Sequence, residues 1–476
     1  MNGWGTGSTS PPPWWVVAGL ILGSSALLGC TEERVAPLVM PVVDQVRAEP
    51  GPHNAVSAVI RAEISAADSA VIRYGLAGAA LDSLTPTFDG LPDSGTVAFP
   101  LLGLLPESSY LLQVVAFGHG AAVTSERISF TTGPLPADLP AYAAGGTDPT
   151  PGYVVFGAYP YGVVIDNTGR VVWYRHLDWG TTLNFQVQPT GRYTTSPIAP
   201  AAGDMMPWVE LDPLGNETRR LGCADGLVSR FHDLIAEADG SYWLMCDETR
   251  QMNLVALGGQ PAAEVTGTVV QHVDAGGARL FSWSAFDHFA ITDLDSASRA
   301  GPAVNWTHGN AITLDGAGHL LVSFRSLSEI TKIDLATGAV LWRFGGLANQ
   351  FTVSGTGAPF VGQHGLRLAG PHALLMLDNR GVSAGSRGEQ YALDEANRLA
   401  QLTATYSAGP PVIATLGGST QPLPRGHLLV AYGNGNRVQE YDAGGSVVWE
   451  IHGNPGYVFR AQRIASLYNP GGTRLR

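Results

Sequence analysis

The sequence predicts an all-β protein in which a small β-sandwich precedes a six-bladed β-propeller. Three observations lead to this prediction: Gly and Pro interrupt the chain too often for long helices, short apolar segments alternate with tight turns, and one turn-and-strand unit recurs six times after about residue 150. The chain has 60 Gly and 32 Pro among 476 residues, and 45% hydrophobic residues. That apolar content is enough to build several cores, which excludes a disordered chain.

The first 43 residues are predicted to be a lipoprotein signal peptide (1–29) and a tether (30–43). An apolar run extends from Trp14 to Gly29, which is too short to span a membrane as a helix but fits the hydrophobic region of a signal peptide. It ends at Leu27-Leu28-Gly29-Cys30, which resembles a bacterial lipobox and implies lipid attachment at Cys30. The first 13 residues contain no Lys or Arg, unlike a typical signal peptide, so ordinary secretion and a retained anchor stay open. We expect a lipoprotein of the bacterial cell envelope that faces the periplasm, with the outer membrane as one location.

Residues 44–133 are predicted to form the β-sandwich. Alternating apolar segments at 55–60, 69–74, 110–116 and 127–132 are separated by Gly, Pro and Asp turns. The stretch LLGLLPESSYLLQVVAF, with its Leu-Pro-x-x-x-Tyr turn, and the closing ISFTTG resemble a fibronectin type III module. Residues 134–150 are then a linker rich in Pro, Ala and Gly.

Residues 151–476 are predicted to form the propeller. The repeating unit is an apolar strand, an Asp-x-x-Gly turn or a close variant, and a strand that often ends in Trp. Its Asp residues lie 46 to 62 positions apart: Asp166, Asp212, Asp274, Asp334, Asp394 and Asp442. A unit of this length with about four short strands is typical of a propeller blade. A functional site on such a ring belongs at the mouth of its axial channel, where the innermost strands converge.

Charge and cysteine content restrict the function. The formal net charge of −13 argues against nucleic-acid binding, which needs clustered basic residues. Apart from Cys30, the chain has only Cys223 and Cys246. An oxidising compartment would permit them to pair, and two free buried thiols are an equal alternative.

Three of the twelve histidines occupy a common position in consecutive blades. His232 lies seven residues before the Asp239-Gly240 turn, His308 lies seven before Asp315-Gly316, and His364 lies six before Gly370. This spacing places all three at the entry of an innermost strand. Arg325 follows the innermost strand of the His308 blade and is the natural anchor for an anion beside them.

This set of residues suits transfer of a sulfuryl or phosphoryl group. A neutral imidazole is a nucleophile, and nearby cations lower its pKa and keep the ring neutral. Arginine and further imidazoles can hold the oxygens of a loose transition state. No nucleotide-cradling glycine motif accompanies them, so donor and acceptor would use one site in turn.

Several long motifs resemble the bacterial arylsulfate sulfotransferases, which do not use the nucleotide sulfate donor. The matching segments are FHDLIAEADGSYW (231–243), NWTHGNAITLD (305–315), LLVSFRSLSEITKIDLATGAVLWRFGG (320–346), FVGQHGLRL (360–368), SRGEQYALDE (386–395) and FRAQRIASLY (459–468). The resemblance implies a six-bladed propeller that moves a sulfuryl group from a phenolic sulfate ester to a phenol, without a cofactor. It implies His364 as the transiently sulfurylated nucleophile, and His232, His308 and Arg325 as its partners. Asn310 is a weaker candidate for a substrate contact.

Three alternative interpretations stay open. Residues 334–342 resemble the tryptophan-docking repeat of quinoprotein propellers, although that motif packs blades together and does not bind cofactor. A lipid-anchored propeller that binds a ligand without catalysis is the second. The third is a zinc site made by the three histidines, which the neighbouring Arg325 disfavours, so no metal is expected. A homodimer is one candidate assembly.

Overall fold

The computed structural model describes residues 39–355, 359–380 and 385–471. The predicted signal peptide and Cys30 lie outside the described residues. Within these ranges the helices are four short 3-10 turns, at Val255–Leu257, Ala285–Asp287, Ile291–Asp293 and Pro424–Gly426. Everything else that is regular is strand, so the all-β prediction is confirmed.

The first part of the described chain forms two sheets. One has three antiparallel strands, Val42–Pro50, Ala58–Ser65 and Ser94–Leu101. The other has six: Ser69–Leu76, Ser83–Leu84, Phe88–Asp89, Ser109–Gly118, Ala121–Thr124 and Ile128–Thr131. The predicted segment 55–60 begins too early, because its first residues form the turn before the strand.

One apolar core joins these two sheets. Alternate residues of facing strands, such as Ile60 and Val114, are fully buried in it. In the Leu-Pro-x-x-x-Tyr turn, the hydroxyl of Tyr110 accepts a hydrogen bond of 2.8 Å from the backbone N–H of Leu105. This contact ties the turn to the strand that follows it, as a tyrosine corner does.

The rest of the chain forms six sheets, which we number in chain order. Their strands are: in sheet 1, Tyr153–Ala158, Tyr161–Asp166, Val171–His176 and Ala461–Ile464; in sheet 2, Thr182–Val187, Tyr193–Pro197, Trp208–Leu211 and Glu217–Leu221; in sheet 3, Val228–Ala236, Tyr242–Met252, Ala263–Val273, Arg279–Ser284 and Ala303–Asn305; in sheet 4, Gly309–Leu314, His319–Phe324, Glu329–Asp334 and Val340–Gly345; in sheet 5, Thr352–Ser354, His364–Gly370, Ala373–Asp378, Arg387–Asp394 and Leu399–Ser407; and in sheet 6, Ala143–Gly145, Ser419–Pro422, Leu428–Ala431, Val438–Tyr441 and Val447–His452.

The six sheets contact one another in a closed cycle. Each packs against the next, and sheet 6 packs against sheet 1. The innermost strand of sheet 1 comes from the end of the described chain, where Ala461–Ile464 pairs antiparallel with Tyr153–Ala158. The outermost strand of sheet 6 comes from the linker, where Ala143–Gly145 pairs with Val447–His452. Strands from both ends of the region therefore hold the cycle closed.

Six apolar clusters lie between successive sheets. Because side chains alternate along a strand, neighbouring residues enter different clusters. Leu320 packs towards sheet 3, whereas Leu321 packs towards sheet 5. Each sheet thus buries both of its faces, which a single four-stranded sheet cannot do alone.

The recurring Asp residues close the turns between strands. The carboxylate of Asp166 accepts hydrogen bonds from the backbone N–H groups of Thr168 and Arg170. Asp212, Asp274 and Asp442 make the same pair of bonds two and four residues ahead. Gly169, three residues after Asp166, has a φ of 92°, a backbone conformation that favours Gly.

The recurring Trp residues join each sheet to a neighbour. The indole N–H of Trp173 donates to Pro213 O at 2.8 Å, and that of Trp449 donates to Asn167 O at 2.9 Å. Trp342 donates to the carboxylate of Glu395 at 2.9 Å. These contacts are between sheets, so the segment that resembles a tryptophan-docking repeat serves packing.

Amide and hydroxyl side chains bridge the innermost strands. Gln188 of sheet 2 both donates to Leu234 O and accepts from Ala236 N in sheet 3. Gln462 makes a similar pair of bonds with the backbone of Val187. These bonds satisfy backbone groups at the free edges of the innermost strands, which pair with a further strand on one side only.

Cys223 and Cys246 form a disulfide with a Cα–Cα distance of 6.1 Å, within the usual range. It joins the segment after sheet 2 to the second strand of sheet 3. The sequence left this pairing open.

Candidate functional site

A cavity of about 280 Å³ brings together His232, His308, His364 and Arg325. His232 lies in the innermost strand of sheet 3, His308 immediately precedes that of sheet 4, and His364 begins that of sheet 5. Arg325 directly follows the second strand of sheet 4, and not the innermost strand as the sequence predicted. The remaining lining residues are Leu183, Ile198, Arg230, Phe231, Asp247, Asn305, Gly309, Leu416, Gly417, Tyr457 and Phe459.

Irregular strand pairing accompanies each histidine. The register shifts between Ser229 and Leu234 in sheet 3, between Gly309 and Ala311 in sheet 4, and between His364 and Arg367 in sheet 5. Such bulges turn a side chain away from the regular alternation of a strand. A similar shift occurs in the innermost strand pair of sheet 2, between Thr182 and Asn184, so irregular pairing is not confined to the sheets that contribute imidazoles.

Hydrogen bonds determine which nitrogen of His364 carries the proton. The amide N–H₂ of Asn379 donates to Ala414 O at 2.8 Å and Gly417 O at 3.1 Å. Its carbonyl oxygen therefore faces His364, at 2.9 Å from Nδ1, and Gly362 O lies 3.0 Å from the same nitrogen. Both partners are acceptors, so Nδ1 carries the proton. The lone pair is left on Nε2, which accepts from the Gly417 backbone N–H at 3.3 Å.

His308 and His232 form a hydrogen-bonded pair. The amide nitrogen of Asn305, which can only donate, lies 2.6 Å from Nδ1 of His308. The proton of His308 is then on Nε2, 3.2 Å from Nε2 of His232. His232 accepts there and carries its own proton on Nδ1. That nitrogen is buried and has no hydrogen-bond partner within the described residues.

Arg325 supplies positive charge that no carboxylate neutralises within the described ranges. Its backbone N–H donates to His308 O at 2.9 Å, and Nη2 donates to Thr415 O at 3.3 Å. Its Nε is buried without a hydrogen-bond partner among the described residues. The other guanidinium of the lining, that of Arg230, is engaged by Asp247, with 2.5 Å between Nε and the carboxylate. The cavity thus combines unused donors with a net cation, as an anion site requires.

All three imidazoles are neutral near pH 7. Burial, together with the nearby charge of Arg325, lowers the pKa of His308 to about 3. Burial likewise lowers the pKa of His364 to about 4, with the hydrogen bond to Asn379 acting in the opposite direction. Burial and the neighbouring His308 hold the pKa of His232 well below its usual value. A neutral ring leaves Nε2 of His364 unprotonated.

Aromatic rings form one wall of the cavity. Phe231 stacks on His232 with ring centroids 4.2 Å apart, and Phe459 lies 5.3 Å from Phe231. Phe459 also meets His364 edge-on at 6.3 Å. Burial raises the pKa of the nearby Tyr457 to about 12, so its phenol stays protonated. This wall suits an aromatic ring held beside the imidazoles.

Asn310 does not line the cavity, in contrast to the expected substrate contact. Its amide donates to Gln363 O at 2.7 Å, and the side chain is 1% exposed. It therefore holds the residue before His364.

The sequence analysis did not identify Asn379 and Asn305. Asn379 follows the second strand of sheet 5, just as Arg325 follows the second strand of sheet 4. Aligning the sequence repeats would therefore have placed Asn379 at the position of Arg325.

A group of buried polar side chains, which includes an ion pair, contacts the backbone of His232. The buried guanidinium of Arg460 contacts His232 O at 3.1 Å and the carboxylate of Asp233 at 3.1 Å. Asn184 donates to the same His232 carbonyl at 3.0 Å. A separate, more polar cavity of about 380 Å³ is lined by Asp233, Arg367 and several glutamines but by none of the three histidines. We therefore place the candidate site on the histidine side.

No group of three or more His, Cys, Asp or Glu side chains in the described ranges has an arrangement that could hold a metal ion. In the same residues, no helix has the length and apolar character needed to cross a membrane.

Comparison with known proteins gives one family match. The family model described as arylsulfotransferase (ASST) matches residues 223–454. No curated protein matches the chain.

Three of the solved structures that match the chain are the following. A protein of unknown function from Bacteroides caccae is 15% identical, with a TM-score of 0.42, and the alignment covers 65% of this chain and 98% of that one. A streptogramin B lyase is 13% identical, with a TM-score of 0.37 and coverage of 66% and 84%. The Cps50 (Swd1) β-propeller domain of Myceliophteria thermophila is 11% identical, with a TM-score of 0.35 and coverage of 68% and 89%.

The matched residues 223–454 include His232, His308, Arg325 and His364, which line the cavity. The resemblance that the sequence motifs indicated is therefore confirmed: this chain resembles the arylsulfotransferase family.

Proposed function

We propose that the protein is an aryl-sulfate sulfotransferase that works by a ping-pong mechanism through a sulfurylated His364. The observation that carries this proposal is that one cavity holds both the unprotonated Nε2 of His364, whose one partner among the described residues is the Gly417 N–H at 3.3 Å, and the guanidinium of Arg325, which no carboxylate neutralises in the described part of the chain. A nucleophile opposite an anion anchor is what sulfuryl transfer requires.

In the first half-reaction, Nε2 of His364 attacks the sulfur of a phenolic sulfate ester. An N–S bond forms, the S–O bond to the ring breaks, and the phenol oxygen leaves with the bonding pair. The His232–His308 pair supplies the proton to that oxygen. The bound sulfate raises the pKa of the pair, because an opposite charge favours its protonated form, and the pair takes up this proton from solvent when the donor binds.

In the second half-reaction, an acceptor phenol takes the sulfuryl group from His364. Its oxygen attacks the sulfur, its proton passes to the His232–His308 pair, and the N–S electrons return to Nε2. The proton deposited on the pair replaces the one that the leaving phenol took, so atoms and charge balance. Because the two rings share one hydrogen bond, we treat them as a unit that titrates together.

We further propose the architecture and setting that the sequence predicts. The six sheets would be the blades of a six-bladed propeller spanning 151–476, and the two sheets before it a fibronectin type III-like sandwich spanning 44–133. A lipid on Cys30 would tether the enzyme to the cell envelope on the periplasmic side. Metabolic labelling with palmitate, lost in Cys30→Ala, tests the tether.

Intact-mass spectrometry after brief exposure to 4-nitrophenyl sulfate tests the mechanism. We expect an adduct of about 80 Da together with one equivalent of 4-nitrophenol. His364→Gln should abolish both. His372→Gln is the matched control, because His372 lies on the same sheet and is exposed. Absence of both adduct and phenol release in the wild type would overturn the proposal.

A further inference from the structure

A second cavity adjoins the catalytic one. It has a volume of about 410 Å³, and Leu183 and Tyr457 line both. Its other lining residues come from the linker, from the first hairpin of sheet 1 and from the segment before Tyr457: Pro140, Ala141, Tyr142, Ala158, Tyr159, Asn454, Pro455 and Gly456. Leu183 and Tyr457 therefore form the boundary that the two cavities share.

The small volume of the catalytic cavity is a reason for a bound substrate to extend into the second cavity. At about 280 Å³ it lies just below the range of roughly 300–1,000 Å³ that small-molecule pockets occupy. Its residues also have to hold a sulfate group as well as a ring. The two cavities together fall within the usual range.

The lining of the second cavity suits an aromatic or similarly flat group. Tyr159 is 50% exposed, which is unusual for so large an aromatic residue and leaves its ring free to stack. Pro140 and Pro455 add flat apolar surfaces. Tyr142 packs edge-on against Phe156 at 5.3 Å, and its buried hydroxyl has no hydrogen-bond partner among the described residues. The wall thus offers apolar contact and one unused polar group.

We propose that this second cavity is a subsite for the distal ring of an extended phenolic substrate. The reacting phenol would lie against Phe231 and Phe459, and a second ring attached para to its oxygen would pass Tyr457 into the linker-lined space. The inference rests on the proposed sulfotransferase function. It identifies the preferred substrates as phenols with at least two rings, and it gives the linker a direct role in binding them.

Acceptor kinetics test the subsite. With 4-nitrophenyl sulfate as donor, kcat/KM is compared for phenol and for 4-benzyloxyphenol. We expect the wild type to prefer the two-ring acceptor at least about tenfold, the effect of burying one ring. Tyr159→Ala, which removes a wall, and Ala141→Trp, which fills the space, should each reduce the preference to about twofold or less. Phe117→Ala, an exposed aromatic of the N-terminal sheets, is the control and should keep the preference.

Calorimetric titration of the two phenols separates this inference from the proposed function. If 4-benzyloxyphenol binds more tightly than phenol and both variants remove the difference, the subsite stands even when no sulfuryl transfer occurs. Equal binding of the two phenols by the wild type, or a preference that survives both variants, would overturn it.

Discussion

At the residue scale, the chemistry of the cavity depends on a single proton position. His364 is oriented by Asn379, whose amide cannot rotate without losing two hydrogen bonds to backbone carbonyls. The proton is therefore on Nδ1 and the lone pair on Nε2, where the Gly417 N–H donates at 3.3 Å, before any substrate arrives. Asn379 touches no reacting atom in the proposed mechanism, so it acts as a positioning residue.

Replacing Asn379 should change the pH dependence of the reaction. Since the pKa of His364 is about 4, wild-type kcat/KM for the donor should fall as the pH drops through that value and the nucleophile is protonated. Asn379→Asp places a carboxylate beside Nδ1 and raises this pKa, so the acid limb should move up by roughly one to three pH units. A pH–rate profile measures the shift.

The isosteric variant Asn379→Leu separates positioning from charge. It removes the acceptor for Nδ1–H without adding charge, so kcat should fall about a hundredfold from misorientation. An acid limb that stays in place for Asn379→Asp would contradict the role assigned to Asn379. Thermal unfolding of both variants checks that the fold survives.

At the element scale, a buried tryptophan joins each of several sheets to the next. Trp173 of sheet 1 is fully buried, stacks on Tyr193 of sheet 2 at 4.7 Å, and donates to the Pro213 carbonyl. The contact combines a large apolar area with one hydrogen bond. It explains why Trp recurs after the Asp turns.

Trp173→Phe should destabilise the protein by about 2–4 kcal/mol. The change leaves a cavity between sheets 1 and 2 and removes the hydrogen bond to Pro213. Trp179→Phe is the matched control, because Trp179 is only half-buried at the margin of the same cluster, and it should cost less than about 1 kcal/mol. Urea unfolding compares the two; equal losses would argue against the Trp173 contact as a joint between sheets.

At the scale of the whole molecule, closure of the cycle depends on a buried ion pair. Arg463, from the last described strand, contacts Glu440 of sheet 6 at 2.7 Å, and neither side chain is exposed. Glu440 also accepts hydrogen bonds from Thr150 in the linker and contacts His427. One carboxylate thus joins segments from both ends of the region and the sheet between them.

Removing the Arg463 side chain should therefore lower the free energy of unfolding. Arg463→Met leaves the Glu440 charge buried without its cation and should lower the stability by about 3–5 kcal/mol. The double variant Arg463→Met/Glu440→Gln should recover part of that loss. Arg220→Met, which breaks the half-exposed pair with Glu217, should cost no more than about 1 kcal/mol. A small loss for Arg463→Met in urea unfolding would show that closure relies on strand pairing alone.

The sequence was sufficient for features that depend on local periodicity. Gly and Asp turns at regular intervals, alternating apolar strands and a recurring Trp predicted the all-β class. The register of three histidines against those turns predicted that they would share one region. Both inferences hold because turn chemistry and side-chain alternation are set within a few residues of the chain.

Only the tertiary structure decided how those residues act. The proton position on His364 depends on Asn379 and on the backbone at residues 414–417, far along the chain, and Asn310 proved to hold the Gln363 backbone rather than line the cavity. The link between Cys223 and Cys246, the pairing of His232 with His308 and the second cavity beside Tyr457 also needed coordinates. Each depends on contacts between distant segments, whose distances are determined by the packing of whole sheets and not by the spacing of residues in the sequence.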